Sequence, residues 1–234
     1  MSDQGAVVVI GGNRGIGLEI VRYFAGRGDP VLMTGRDAAG TRAAAAGITG
    51  QVTTVALDLA KPKGIAAALA GVGPVRAVIL SAIDRDQNTI ADYNIDRALS
   101  LATLKLVGYT EVVHTLLGRL RPDASIVMFG GLAKERPYPG SLTVSTVNAG
   151  ILGLVRSLVV ELKPIRVNSL HPGLVEDSPY WEERQAALDV ARGKTPIGRL
   201  ARMTDIVGAC AFLVDNQAVN GIELFVDGGI SCVG

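Results

Sequence analysis

Short runs of consecutive apolar residues alternate along this chain with longer segments in which apolar positions recur every three or four residues. The runs at 7–10, 31–34, 52–57, 77–80, 125–129, 166–170 and 223–226 predict strands. Most are apolar at successive positions, as strands buried on both faces are. Between them the spacing predicts helices over 16–27, 38–46, 62–70, 93–119, 144–162 and 203–214. Regular strand–helix alternation implies right-handed crossovers and a parallel sheet covered on both faces, a three-layer α/β/α sandwich. The rhythm breaks at 174–199, where acidic residues cluster with Pro179, Tyr180 and Trp181 and a helical stretch is expected over 182–192. An insertion after a strand's carboxyl end is where ligands bind in open α/β sheets, so this segment is a candidate substrate lid.

The first strand feeds directly into Gly11-Gly12-Asn13-Arg14-Gly15-Ile16-Gly17, and the helical Leu18-Glu19-Ile20-Val21 follows. Glycines in such a turn let the backbone approach a pyrophosphate, which the free N–H groups of the helix N-terminus stabilise. Asn13 and Ile16 belong to the same cradle. The second strand ends at Gly35-Arg36-Asp37. An acidic side chain there would accept from a free ribose, whereas arginine pairs with a 2′-phosphate. With Arg14 approaching from the other side, Arg36 favours NADP(H) over NAD(H), and Asp37 is expected to cap the next helix. Asp58, followed by Leu59, is placed to accept the adenine amino group or to cap its own turn. The small Ser81 and Ala82 after the fourth strand let the chain pass close to a ribose.

Composition bounds the alternatives. The chain has 234 residues, of which 48% are hydrophobic and 19% charged, so one large α/β domain spanning 1–234 is expected. A net charge of +1 gives no electrostatic case for nucleic acid or an anionic membrane. No apolar run looks long enough to span a bilayer, and Cys210 and Cys232 are expected as reduced thiols, so a cytoplasmic location is expected. No His/Cys/Asp/Glu grouping has metal-ligand spacing.

These features resemble the short-chain dehydrogenase/reductase family over essentially the whole chain. Gly11, Gly15 and Gly17 match its glycine motif, and Ser81-Ala82-Ile83 stands in place of its Asn-Ala-Gly. Arg166 through Pro172-Gly173 looks like the strand and turn beside the nicotinamide. The run from Thr195-Pro196 to Asp227-Gly228-Gly229 is similar to the family's tail. The resemblance implies a Rossmann-like, doubly wound sheet of seven strands, and a homotetramer or homodimer formed through the long helices and the tail.

The family's proton-handling residues are a Ser, a Tyr-x-x-x-Lys on the following helix and an Asn on the preceding one. Carried over by resemblance, the Ser position falls on Gly130-Gly131, Tyr on Val144, Lys on Asn148 and Asn on Lys105. Lysine and asparagine have exchanged helices. Lys105 and Asn148 are therefore expected to face the pocket, with Lys105 either holding the nicotinamide ribose hydroxyls or acting as a general acid if burial lowers its pKa; otherwise it is an ordinary solvated helix residue. Tyr138, before the second helix, is a candidate overhanging phenol; Tyr109 shares the face of Lys105. Ser141, Thr143 and Ser145 surround the vacated position and are poor acids. His171 is the histidine nearest the cofactor, and His114 is expected to be a packing residue.

Two functions compete on this reading. One is an NADP(H)-dependent oxidoreductase acting on a small or medium carbonyl, alcohol or activated alkene, deprived of general acid catalysis worth about 10²–10⁴-fold. The other is a non-redox NADP(H)-binding sensor or scaffold, or a cyclase or isomerase built on the same frame.

Overall fold

The pleat of the central strands sorts the apolar residues into two layers. In the computed structural model, which describes residues 5–84, 86–182 and 185–233, β1 (Ala6–Ile10) sends Val8 and Ile10 to one face. Val7 and Val9 go to the other. The same alternation splits β4 (Val75–Leu80), with Val78 and Leu80 opposite Ala77 and Ile79. The first layer packs on Tyr109, Val112, Ile151 and Val155, the second on Ile20, Phe24, Ile206, Cys210 and Leu213. Both faces are thus buried, which accounts for the apolar character of these strands, Arg76 at the start of β4 excepted.

Seven parallel strands form one sheet in the order β3-β2-β1-β4-β5-β6-β7, adding β2 (Val31–Gly35), β3 (Val52–Ala56), β5 (Leu120–Phe129), β6 (Arg166–Pro172) and β7 (Glu223–Val226). Chain direction across the sheet reverses between β1 and β4, which opens a crevice at their carboxyl ends. The helices are α1 (Gly15–Gly26), α2 (Ala38–Ala45), the one-turn α3 (Ile65–Ala68), α4 (Ile95–Ala102), α5 (Tyr109–Leu116), α6 (Leu142–Glu161), α7 (Gln185–Lys194) and α8 (Met203–Asp215).

The long helix expected over 93–119 is continuous but not uniform. A π-helical segment, Thr103–Gly108, joins α4 to α5 and turns Leu104, Lys105 and Gly108 inward. Gly108 is required there, because a Cβ would lie 2.6 Å from the Leu59 carbonyl oxygen. The helix expected over 62–70 shortens to a 3₁₀ turn at Pro62–Gly64 and α3. The 174–199 segment carries a 3₁₀ turn at Pro179–Trp181 and α7, while part of its expected helix, at 183–184, lies outside the described residues.

One expectation about apolar runs is corrected. Helix α6 has 20 residues and mean hydropathy 1.5, long and apolar enough to cross a membrane by length and composition. Its inward stripe of Val144, Val147, Asn148, Ile151, Val155 and Leu158 is instead buried within the fold. Interruption of the apolar positions by Ser145, Thr146 and Asn148 hides this length from a search for an unbroken run.

Arg166 ties β6 to the end of α8. Its guanidinium, 5% exposed, donates to the Leu213 carbonyl at 2.8 Å and the Val214 carbonyl at 2.7 Å, offsetting the negative end of the helix. The Leu213 carbonyl keeps a hydrogen bond from Ser125 Oγ at 2.9 Å, but replacing Arg166 with Met strands the Val214 carbonyl, so Arg166→Met is expected to cost roughly 1–3 kcal/mol, read as a fall in the urea midpoint.

Candidate functional site

The crevice holds a cleft of about 680 Å³. Every cofactor-side residue expected from the sequence lines it, namely Gly11, Asn13, Arg14, Gly15, Ile16, Gly17, Arg36, Asp58, Leu59, Ser81 and Ala82, except Pro172 and Gly173. Those two lie beyond it, with Gly173 packed so that a Cβ would meet Asp227 Cα at 2.8 Å.

Steric closeness builds the glycine turn. A Cβ on Gly17 would sit 2.1 Å from the Gly11 carbonyl oxygen, and one on Gly11, whose φ is +87°, 2.7 Å from Ala82 Cα. Gly15 differs: its φ of +53° favours glycine, yet its nearest neighbour is Pro179 Cδ at 4.0 Å. The backbone there is open to the cleft. Thr34, which sequence reasoning missed, anchors the turn by accepting from the Gly11 N–H at 3.2 Å. Its signal was a hydroxyl in an otherwise apolar strand just before Gly35-Arg36. Ser81 donates from Oγ to the Ile10 carbonyl at 3.1 Å.

After β2, Asp37 caps α2, accepting from the Ala39 N–H at 3.3 Å and the Gly40 N–H at 2.5 Å. Arg36 is exposed and lies 3.4 Å from Asp84, a surface pair of little energetic weight. Arg14 is exposed and makes no side-chain cap bond to α1. Asp58 Oδ1 accepts from the Ala60 N–H at 3.0 Å, closing its own turn, while Oδ2 stands 3.9 Å from Lys61. From the insertion, Ser178, Pro179 and Tyr180 reach the cleft wall. Its root is fixed by Glu176, which pairs with Arg202 at 3.0 Å and Arg192 at 3.1 Å.

The second half of the site is packed and polar. Lys105 is 1% exposed and does not line the cleft. Its Nζ donates to the Phe129 carbonyl and, at 3.3 Å, to Tyr109 Oη, which in turn donates to the Ala82 carbonyl at 2.6 Å. The expectation that its amine confronts a bound ligand therefore changes, since the side chain reaches backbone and phenol behind the cleft wall. Burial pushes Lys105 down to about 7 and the Tyr109 phenol well above its ordinary value. Asn148, 2% exposed, leaves Oδ1 buried without a hydrogen-bond partner. Its Nδ2 would stand 3.0 Å from a Cβ on Gly131.

His171 is fully buried and accepts the Gly131 N–H at Nδ1, 3.2 Å away, while Nε2 lies 2.9 Å from Ser169 Oγ. Burial, then nearby Lys134, lowers it to about 4, so it stays neutral, and its ring fills the place a Gly130 Cβ would take, at 2.4 Å. Val144 sits in an apolar cluster with Leu101, Ala133 and Val147. Tyr138 is 57% exposed, not folded over the pocket. Ser141 and Ser145 bond each other at 2.9 Å. Among the described residues no group of His, Cys, Asp and Glu is arranged to hold a metal.

A family model described as enoyl-(acyl carrier protein) reductase matches residues 10–231. The chain is 29% identical to the 3-oxoacyl-[acyl-carrier-protein] reductase of Bos taurus, covering 95% of this chain and 96% of that one. It is 30% identical to the acetoacetyl-CoA reductase of Synechocystis sp. (strain ATCC 27184 / PCC 6803 / Kazusa), over 95% and 94%. Among solved structures, a short-chain dehydrogenase/reductase from Brucella melitensis superposes with a TM-score of 0.89 at 26% identity, covering 97% and 96%. The chain belongs to the short-chain dehydrogenase/reductase family of oxidoreductases, which implies a nicotinamide cofactor. The cleft fits one: open backbone at Gly15, unpaired first-turn N–H groups of α1 and two exposed arginines suit a dinucleotide's phosphates.

Two outcomes follow. Gly17→Ala forces the turn apart and is expected to cost about 2 kcal/mol or more in denaturant titration. Between about 7 and the ordinary 10.5 of a lysine, the unfolded chain binds a proton at Lys105 that the folded chain does not. Stability from this group therefore rises with pH across that window and is flat below it. The melting temperature of Lys105→Met relative to the parent is expected to fall steadily from pH 7 to 10; parallel curves would contradict the assignment.

Proposed function

We propose that this chain is an NADP(H)-dependent reductase of a small or medium activated carbonyl or conjugated alkene, working without the family's phenol. The observation that carries the reading is the cleft, where glycine backbone, Arg14 and Arg36 converge at the carboxyl ends of β1 and β2. The 2′-phosphate preference rests on Arg36 being exposed while the carboxylate of Asp37 is spent on capping α2. In this reading the first-turn N–H groups of α1 hold the pyrophosphate, Arg14 and Arg36 hold the 2′-phosphate, and Asp58 receives the adenine amino group. The bound nicotinamide supplies a two-electron reductant.

The proton is the difficulty. With Val144 and Asn148 at the Tyr and Lys positions and glycines at the Ser position, no ionisable side chain of α6 delivers it. That favours acceptors that delocalise the charge they gain, such as a conjugated alkene whose carbonyl oxygen takes it as an enolate while water protonates the carbon. The relatives named as 3-oxoacyl and acetoacetyl reductases make acyl thioesters the substrates to try first. Asn148, expected to face the pocket, is 2% exposed and lies outside the cleft lining, with its Oδ1 buried and unpaired, so it supplies no ligand contact in this reading. The apolar cluster around Val144 favours a second reading, a non-redox NADP(H)-binding sensor or scaffold.

NADPH is expected to raise the melting temperature more than NADH does, and Arg36→Ala to weaken NADPH roughly 10- to 100-fold with NADH unchanged. A larger NADH effect would overturn the phosphate assignment. Loss of NADPH absorbance with enones, enoyl thioesters or 3-oxoacyl thioesters supports the reductase; tight NADPH binding without turnover on any of them selects the sensor.

A further inference from the structure

Lys105 and Tyr109 do work at this site that neither a solvated helix face nor a proton donor would do. They stand one turn apart, at the π segment and the first position of α5, and both are fully buried. From Lys105 Nζ one hydrogen bond runs to the Phe129 carbonyl, where β5 ends. A second, at 3.3 Å, runs to Tyr109 Oη, and the phenol passes it on to the Ala82 carbonyl at 2.6 Å, two residues beyond β4. Lys105 Nζ also lies 4.9 Å from the centre of the Tyr109 ring. A single hydrogen-bonded chain therefore joins the carboxyl ends of two neighbouring strands, where the ladder between them has stopped at Leu80 and Met128.

We propose that Lys105 and Tyr109 form a brace that fixes the β4–β5 side of the cleft and so positions the nicotinamide half of the cofactor. The inference rests on the cofactor reading above. Both are positioning residues: neither lines the cleft, and both act through Ala82, which does. Ala82 has no slack, because it also abuts Gly11 so closely that a Cβ on Gly11 would meet it at 2.7 Å. Releasing Ala82 would therefore loosen the wall and the floor of the crevice together. The adenine end, built by Arg14, Arg36 and Asp58 on the β1–β3 side, lies across the switch point from the brace.

That separation supplies the test. NADPH and 2′,5′-ADP, which lacks the nicotinamide half, are titrated by calorimetry against the parent, Lys105→Met, Tyr109→Phe and the double variant. The expected result is NADPH weakened roughly tenfold in each single variant, 2′,5′-ADP unchanged, and the double variant no worse than either single, as for two parts of one chain. Unchanged NADPH affinity in both single variants overturns the brace. So does parallel weakening of both ligands, which marks general loosening. If Lys105→Met does not fold, Tyr109→Phe, which removes one oxygen, decides alone. A parent that prefers NADH is tested with NADH and AMP instead; a parent that binds neither dinucleotide sinks the cofactor reading itself.

Discussion

The structure depends on the absence of side chains at two points. Where α1 leaves β1, the backbone of Gly17 passes so near the Gly11 carbonyl, and Gly11 so near Ala82, that no Cβ fits at either position. This contact holds the first helix against the ends of β1 and β4 and leaves the first-turn N–H groups directed at the crevice. Thr34 and Ser81 secure the same turn from the strands on each side, one by accepting and one by donating. The order reversal of the sheet creates the crevice, and the glycines make it shallow enough in protein atoms for phosphates to reach backbone.

Much of this was legible in the sequence. Central strands buried on both faces appear as unbroken apolar runs, and the pleat assigns Val7 and Val9 to one layer, Val8 and Ile10 to the other. The glycine spacing and Arg36 marked the cleft because backbone geometry and charge act locally there. Strand ends were less legible: β5 begins at Leu120, well before the apolar run at 125–129, since Arg121, Pro122 and Asp123 belong to the strand without being apolar. The helix expected over 144–162 matches α6 (Leu142–Glu161) within two residues at each end, but its hydroxyls hid how apolar its full length is.

The packed interior around Lys105 and His171 could not be read this way. A lysine in helical spacing gives no sign of whether its amine meets ligand, solvent or a carbonyl several strands away. The π segment decides that for Lys105, and one additional residue per turn leaves little trace in periodicity. His171 is similar. Its neutrality follows from burial of the ring within the fold and from Lys134 beside it, a lysine remote from it in the chain.

The two glycines after β5 carry a consequence for how such a site changes over time. A hydroxyl-bearing residue cannot enter at Gly130 while the imidazole of His171 fills the space its Cβ would need, 2.4 Å away. At Gly131 the obstacle is milder, an amide nitrogen of Asn148 at 3.0 Å. A side chain at Gly130 therefore requires a change at His171, whereas at Gly131 the Asn148 amide has only to shift by about a few tenths of an ångström.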